Sequence, residues 1–188
     1  MFVVTGPSGA GKGTLIRALS ERMPELEVAV SATTRPLRAG EEDGREYYFL
    51  EEAEFVRRIE AGDFLEHVRF VSARYGTLRS ELDRIADEGR ICVLELEVVG
   101  ALRVQGEVPG SVTLFIAADV PELERRLRER ATESSGEITE RIVLARRQLE
   151  QAHRFRYVVR NDDLRRATDA LVALVEAELD FAATMAPP

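Results

Sequence analysis

The stretch GPSGAGKGT at positions 6–14 follows an apolar run, residues 2–5, and precedes Leu15, Ala18 and Leu19 at helical spacing. Gly6, Gly11 and Lys12 fit the G-x-x-x-x-G-K spacing of a phosphate-binding loop, and the order strand, loop, helix is the one its mechanism requires. Glycines let the backbone of Gly6, Pro7, Ser8, Gly9, Ala10 and Gly11 curl until successive N–H groups point inward at a phosphate. A helix starting at Gly13 adds the partial positive charge of its N-terminus, and Lys12 can reach the terminal phosphates. No other feature constrains the fold as much, because the loop works only with a strand on one side and a helix on the other.

Lys12 is also the only lysine among 26 Lys and Arg residues. A compact ammonium enters a tight anion cradle as a point charge where a planar guanidinium is too wide, so the site itself accounts for this one exception to arginine. The position after the lysine, ordinarily Ser or Thr, is Gly13, and Thr14 comes next. This GKGT ending resembles that of adenylate kinases. Two arrangements stay open for Mg²⁺ at the bound phosphates: Thr14 contacts the ion, or water largely holds it.

The rest of the chain bounds what such a loop serves. With 188 residues, 45% hydrophobic and 32% charged, it is long enough for one substantial core and has the balance of a soluble globular enzyme. A net charge of −8 counts against a nonspecific nucleic-acid binder or a protein held on anionic membranes. An anion site must therefore be built locally. The single cysteine, Cys92, excludes an intramolecular disulfide, and its setting ICVLELEV reads as a buried core thiol. His67 and His153 are the only histidines and show no zinc-ligand spacing. No signal-peptide pattern is present and no apolar run approaches twenty residues, so the expected location is the reducing cytoplasm.

Four short apolar runs, MFVVT, ICVLELEV, VTLFIA and YVVRN, are rich in β-branched residues and nearly continuous, as strands buried on both faces of a parallel sheet would be. Helical patterns separate them. Leu78, Leu82, Ile85 and Ala86 precede the second run; Leu123 and Leu127 follow the third, with Pro121 near a helix start; Leu164, Leu171, Leu174 and Val175 form a last helix packed on the sheet. This alternation predicts an α/β fold with crossover helices. Residues 32–83, with Phe55 and Ile59 at helical spacing, and the Arg/Glu-rich residues 126–150 break it and read as insertions. The terminal AATMAPP reads as a frayed tail.

The segment SATTRPLRAGEEDGREYYF, residues 31–49, resembles the guanylate kinases. Their signature T-[ST]-R-x-x-[KR]-x-x-[DE]-x-x-[GA]-x-x-Y-x-[FY] is matched by Thr33, Thr34, Arg35, Arg38, Glu41, Gly44, Tyr47 and Phe49. The resemblance continues through GDFLEH, YGT, the arginines between 126 and 141, and NDD, and so spans essentially the whole chain. It implies a P-loop NTPase three-layer core with a parallel sheet (residues 1–31, 84–125 and 151–188), a GMP-binding insertion (32–83) and a helical lid (126–150). The implied activity is transfer of the γ-phosphoryl of ATP, with Mg²⁺, to GMP and dGMP in purine nucleotide metabolism.

On that resemblance, Arg35 and Arg38 with Tyr47 form a charge-assisted clamp for a monophosphate, which Tyr75 joins. Glu66 matches the residue that reads guanine. A carboxylate suits that base because its ring N–H and exocyclic amine are adjacent donors, whereas adenine offers an acceptor at the corresponding ring nitrogen. Ser31 and Thr77 match hydroxyl positions near the base. Glu95 and Glu97, two apart at the end of a predicted core strand, face the cradle from one side of the sheet; Glu95 is a candidate for the Mg²⁺ shell and Glu97 for the GMP side. Family members commonly carry Asp where this chain has Glu97 and Gln where it has Val99.

Arg126, Arg130 and Arg141 match in spacing the lid arginines that stabilise charge on the moving phosphoryl group. ERAT replaces the commoner GRGT wording nearby. Asn161 resembles a residue near adenine, although Asn-Asp-Asp can equally cap the final helix. Two rival readings are a catalytically inactive guanylate-kinase-like domain that binds phosphopeptides, and a kinase acting on a phosphorylated sugar. The intact loop with Lys12 opposes the first, and Glu66 with Ser31 opposes the second.

Overall fold

The computed structural model describes residues 1–70, 72–129 and 135–185, the side chains of 135–137 excepted. β1 (Phe2–Thr5) leads through the glycine-rich loop into α1 (Lys12–Arg22), one residue earlier than Gly13. β2 (Leu26–Val28), β3 (Ala32–Thr33) and β4 (Tyr48–Phe49) follow, then α2 (Glu52–Glu60), β5 (Phe64–Phe70), β6 (Ala73–Leu78) and α3 (Arg79–Asp87). The remainder is β7 (Ile91–Glu95), α4 (Val98–Glu107), β8 (Val112–Ala117), α5 (Val120–Glu129), α6 (Ser135–Leu149), a 3₁₀ turn at Ala152–Arg154, β9 (Tyr157–Arg160) and α7 (Leu164–Met185).

Five strands form one parallel sheet in the order β2-β7-β1-β8-β9, with Val3 opposite Leu94 and Thr113 in its two neighbours. The near-continuous apolar runs of β1, β7 and β8 have their physical reason here, since each of these strands alternates between two cores. β9, expected to be buried on both faces, is instead an edge strand that buries Val159 on one face and leaves Val158 49% exposed on the other. Phe2, Val4, Leu114 and Ile116 pack with Leu15, Leu19, Leu171 and Val175 of α1 and α7; Val3, Leu94 and Phe115 pack with Ile85, Val98, Ala101 and Val104 of α3 and α4. Helix, sheet, helix is a three-layer α/β core. Burying a Leu or Phe side chain in it stabilises the fold by about 1.5–3 kcal/mol, so the alternation holds both helical layers onto the sheet.

A second sheet, β4-β3-β6-β5, stands on this core, with β3 and β4 parallel and the other pairs antiparallel. Phe55 of α2 stacks on Phe64 there, 4.4 Å between ring centroids, in a small core of its own.

Several expectations need correction. β2 was not anticipated; its sequence LEV is short, with two acids (Glu25, Glu27) in a five-residue stretch, and it is an edge strand. Leu78 ends β6 instead of lying in a helix, and Leu164 starts α7 at 45% exposure instead of packing on the sheet. Residues 182–185 continue α7, where Ala and Met favour helix, so AATM is not a frayed tail; 186–188 lie outside the described residues. Cys92 is half-buried, and burial pushes its thiol up to about 11, far from a reactive thiolate. Glu97 is past the strand end, at the N-cap of α4. No described helix is long and apolar enough to cross a membrane.

Candidate active site

The glycine-rich loop emerges at the C-terminal end of β1, between β7 and β8, where ligands bind in open α/β sheets. Gly6 is indispensable on steric grounds: a Cβ there would stand 2.2 Å from the Ile116 carbonyl oxygen. Gly11 has φ +83°, and its Cβ would stand 2.5 Å from Asn161 Nδ2. Lys12 turns back over the loop and donates to the carbonyls of Gly6 (2.8 Å) and Pro7 (3.3 Å). Asn161 donates to the Ala10 carbonyl (2.7 Å), bracing the loop from below, whereas the α7 cap is Asp163, which accepts the Arg166 N–H at 2.8 Å.

Two arginines reach the loop from α5 and α6. Arg126 donates to the carbonyls of Gly9 (3.3 Å) and Ala10 (3.4 Å) and to that of Asn161 (3.1 Å). Arg141 donates to Ser8 Oγ at 2.8 Å. Arg126 also pairs with Glu122 at 2.6 Å, while neighbouring Arg125 pairs with Glu122 and Glu129, and Arg146 with Glu124, on the surface, as solvated helical faces do. Arg130 lies outside the described residues.

On the other side of the loop a cavity of 270 Å³ opens between the two sheets, bordered by Lys12, Ser31, Tyr47, Glu66, Tyr75 and Glu95. Glu66 on β5 is 5% exposed and accepts the Thr77 hydroxyl at 3.1 Å. Burial drives its carboxyl up to about 7, against the hydrogen bonds from Thr77 and the charge of Arg103. Thr77, fully buried on β6, thus acts on Glu66 itself. Tyr47 and Tyr75 meet edge to face, 5.9 Å apart, and Arg35 lies over Tyr47 and Phe49 at 5.5 Å. Arg35 is held in a bidentate pair by Glu41 (2.8 and 3.0 Å), so a carboxylate takes the fork that a phosphate could fill. Glu41 also accepts the backbone N–H of Arg38, whose side chain is exposed.

Glu95, at the end of β7, and Glu97 border both this cavity and the space in front of Gly13 and Thr14. The Glu95 carboxyl is accessible in the cleft yet crowded by protein, which raises it above the usual carboxylate range while Lys12 opposes the shift and Glu97 adds to it. The oxygens of Thr14, Glu95 and Glu97 beside Lys12 are hard donors of the kind Mg²⁺ takes together with phosphate and water. Among the described residues no three acidic, His or Cys side chains form a cage for a metal alone.

Two residues with a place in the site were not foreseen. Gly100 on α4 stands against Glu66, where a Cβ would meet Oε2 at 2.6 Å. Gln148, buried on α6, donates to Glu97 Oε2 at 3.0 Å and ties it to that helix. A glycine inside an otherwise apolar helical pattern was the available signal for the first; the second has none in sequence, being 51 residues from its partner.

The chain is similar to known proteins along most of its length. The family model described as Guanylate kinase matches residues 1–178. A guanylate kinase of Frankia casuarinae is 45% identical over 176 residues, 93% of this chain and 96% of that protein. One of Caldanaerobacter subterraneus subsp. tengcongensis is 42% identical over 179 residues, 95% and 87% of the two. The crystal structure of guanylate kinase from Anaplasma phagocytophilum matches with a TM-score of 0.77 at 28% identity, covering 95% of this chain and 85% of that one.

Proposed function

Because the chain belongs to the guanylate kinase family, an enzyme phosphorylating GMP to GDP with ATP, we propose the following division of labour among its residues. Residues 6–14 cradle the ATP phosphates, and Lys12 bridges the donor oxygens through to the transition state. Phosphoryl transfer leaves the protein little covalent work, so positioned cations do most of it. Arg141 is the cation delivered by α6; Arg126 and Asn161 shape the adenine side of the loop. Closing residues 126–150 over the site excludes water that would waste ATP.

GMP enters the cavity of residues 32–83, its phosphate toward Tyr47, Tyr75, Arg35 and Arg38, with Glu41 yielding the Arg35 fork to it. Its base lies toward Glu66, Ser31 and Thr77, with Glu97 beside it. Glu66 acts as a carboxylate, accepting from the two adjacent guanine donors. dGMP presents the same base and phosphate and is accepted likewise. Mg²⁺, when bound, neutralises charge on the phosphate oxygens. Thr14 and Glu95 would hold it, in part through water. A reducing cytoplasm suits the free thiol of Cys92.

The observation that carries this reading is that Lys12 of the donor loop and Glu66 border one continuous cavity. ADP formation from ATP and Mg²⁺ tests it, with GMP, dGMP, AMP, CMP, UMP and a pentose phosphate compared at matched concentration. Turnover confined to GMP and dGMP is expected. Tight GMP binding without turnover would overturn it.

A further inference from the structure

Glu81 is a charged side chain at 3% exposure, in the first turn of α3, outside both nucleotide cavities. Burying a carboxylate costs several kcal/mol unless its lone pairs are filled, and here they are filled from three directions. Oε1 accepts the Val30 backbone N–H at 3.0 Å and Arg84 Nη2 at 3.0 Å. Oε2 accepts the Tyr48 hydroxyl at 3.0 Å and Arg84 Nε at 3.2 Å. Arg84 is itself held by Glu27 on β2, so the carboxylate is pinned to the core sheet.

What this carboxylate joins is informative. Val30 lies in the connection from β2 to β3, where the chain leaves the core for the insertion, and its neighbour is Ser31. Tyr48 opens β4, and its neighbour is Tyr47. The two segments also touch directly, the Tyr48 N–H donating to the Ser31 carbonyl at 2.9 Å. Ser31 and Tyr47, two of the cavity-lining hydroxyls, therefore each sit one residue from an anchor of the same buried acid.

We infer that Glu81 is a positioning residue for GMP, one carboxylate that ties the exit of the core to the first strand of the aromatic clamp and so sets Ser31 and Tyr47 at the separation the nucleotide needs. The inference rests on the assignment of Ser31 and Tyr47 to GMP made above. Glu81→Gln keeps the shape but offers one acceptor oxygen in place of two, so it cannot receive Val30 and Tyr48 together with both Arg84 donors. Tyr48→Phe removes one strut only.

Steady-state kinetics with GMP and ATP varied separately, alongside melting temperatures, test this. Glu81→Gln is expected to raise the KM for GMP about tenfold and Tyr48→Phe about threefold, with the KM for ATP within about twofold of the parent. The double variant should be no worse than Glu81→Gln, because both act through one tether. An unchanged GMP KM in Glu81→Gln, or both KM values rising together with a lowered melting temperature, would overturn the proposal. If Glu81→Gln does not fold, Tyr48→Phe decides by the same split. Ser31→Ala and Tyr47→Phe separate the two readings. If they raise the GMP KM and Glu81→Gln does not, the tether alone fails; if they leave it unchanged, the assignment of the GMP site fails and the tether with it.

Discussion

The Glu66 carboxylate lies against Gly100 so closely that a Cβ at position 100 would stand 2.6 Å from Oε2. Gly100 is in the first turn of α4, where replacing glycine by alanine ordinarily stabilises a helix by about 1 kcal/mol. Here the added methyl must displace the carboxylate that we assign to guanine. Gly100→Ala should therefore retain or raise the melting temperature while raising the KM for GMP about tenfold. Thermal denaturation and GMP titration on one preparation check the opposed signs. A variant that binds GMP normally would remove Gly100 from the specificity argument.

Burial also gives Glu66 a measurable pH signature. Its carboxyl is raised to about 7, with desolvation the leading cause. The folded state thus holds this proton between the unfolded carboxyl value and about 7. The resulting contribution to stability is complete below the unfolded value and is lost as pH rises through about 7. GMP recognition runs the other way, because guanine needs the ionised acceptor. GMP affinity should rise from pH 5.5 to 8, and Glu66→Gln should lower kcat/KM for GMP about 10- to 100-fold. It should also leave only the pH dependence of the GMP phosphate itself. Calorimetric titration of both proteins across that range is the check, and parallel pH profiles would count against Glu66.

Strand, glycine-rich loop and helix were legible because each has a strict local chemistry: residues 2–5 are buried on both faces, and Gly6 cannot carry a side chain beneath Ile116. β1, β7 and β8 were legible for the same reason, since strands packed between two helical layers leave no polar alternation; β9 was legible by its β-branched run alone, because at the sheet edge it buries only one face. β2 was not, being three residues long with Glu27 in its middle and needing the neighbour β7 to exist at all.

The strand holding Glu95 could be read, but not the turn that takes Glu97 out of it into the N-cap of α4. What sequence could not express were contacts across long separations. Glu66 with Gly100, Glu97 with Gln148, and Glu81 with Val30 and Tyr48 are set by how the layers dock, with no local spacing to announce them. Val99, at 58% exposure, faces outward, so its replacement of a commoner Gln removes no contact inside the cavity.

Lys12 folds back onto the Gly6 and Pro7 carbonyls, which makes the loop a tight ring around one ammonium. A guanidinium is planar and wider and cannot enter such a ring as a point charge. Lys12→Arg should accordingly fail almost as badly as Lys12→Ala, each losing about 10³-fold in kcat while melting near the parent temperature. Rapid-quench measurement of GDP formation resolves the chemical step from product release. Substantial activity in Lys12→Arg would mean that charge alone, without fit, carries the donor contact.

Gly13 occupies the position where a hydroxyl ordinarily contacts the phosphate-bound metal, and a Cβ there would meet Glu95 Oε2 at 3.7 Å, an ordinary contact. The site therefore has room for the missing hydroxyl. With Ser8, Thr14, Glu95 and Glu97 as the side-chain oxygens lining this space, the cation we assign to it has few protein ligands, and Mg²⁺ already binds mostly through water and phosphate. Gly13→Ser should lower the Mg²⁺ concentration for half-maximal activity by about 3- to 10-fold. Stability should change little, since serine is a better helix former than glycine at this exposed position in the first turn of α1. Activity followed against free Mg²⁺ at saturating ATP and GMP is the check, with removal by EDTA setting the zero. An unchanged Mg²⁺ requirement in a stable Gly13→Ser enzyme would show that the ion does not approach position 13, leaving Thr14, Glu95 and water to hold it.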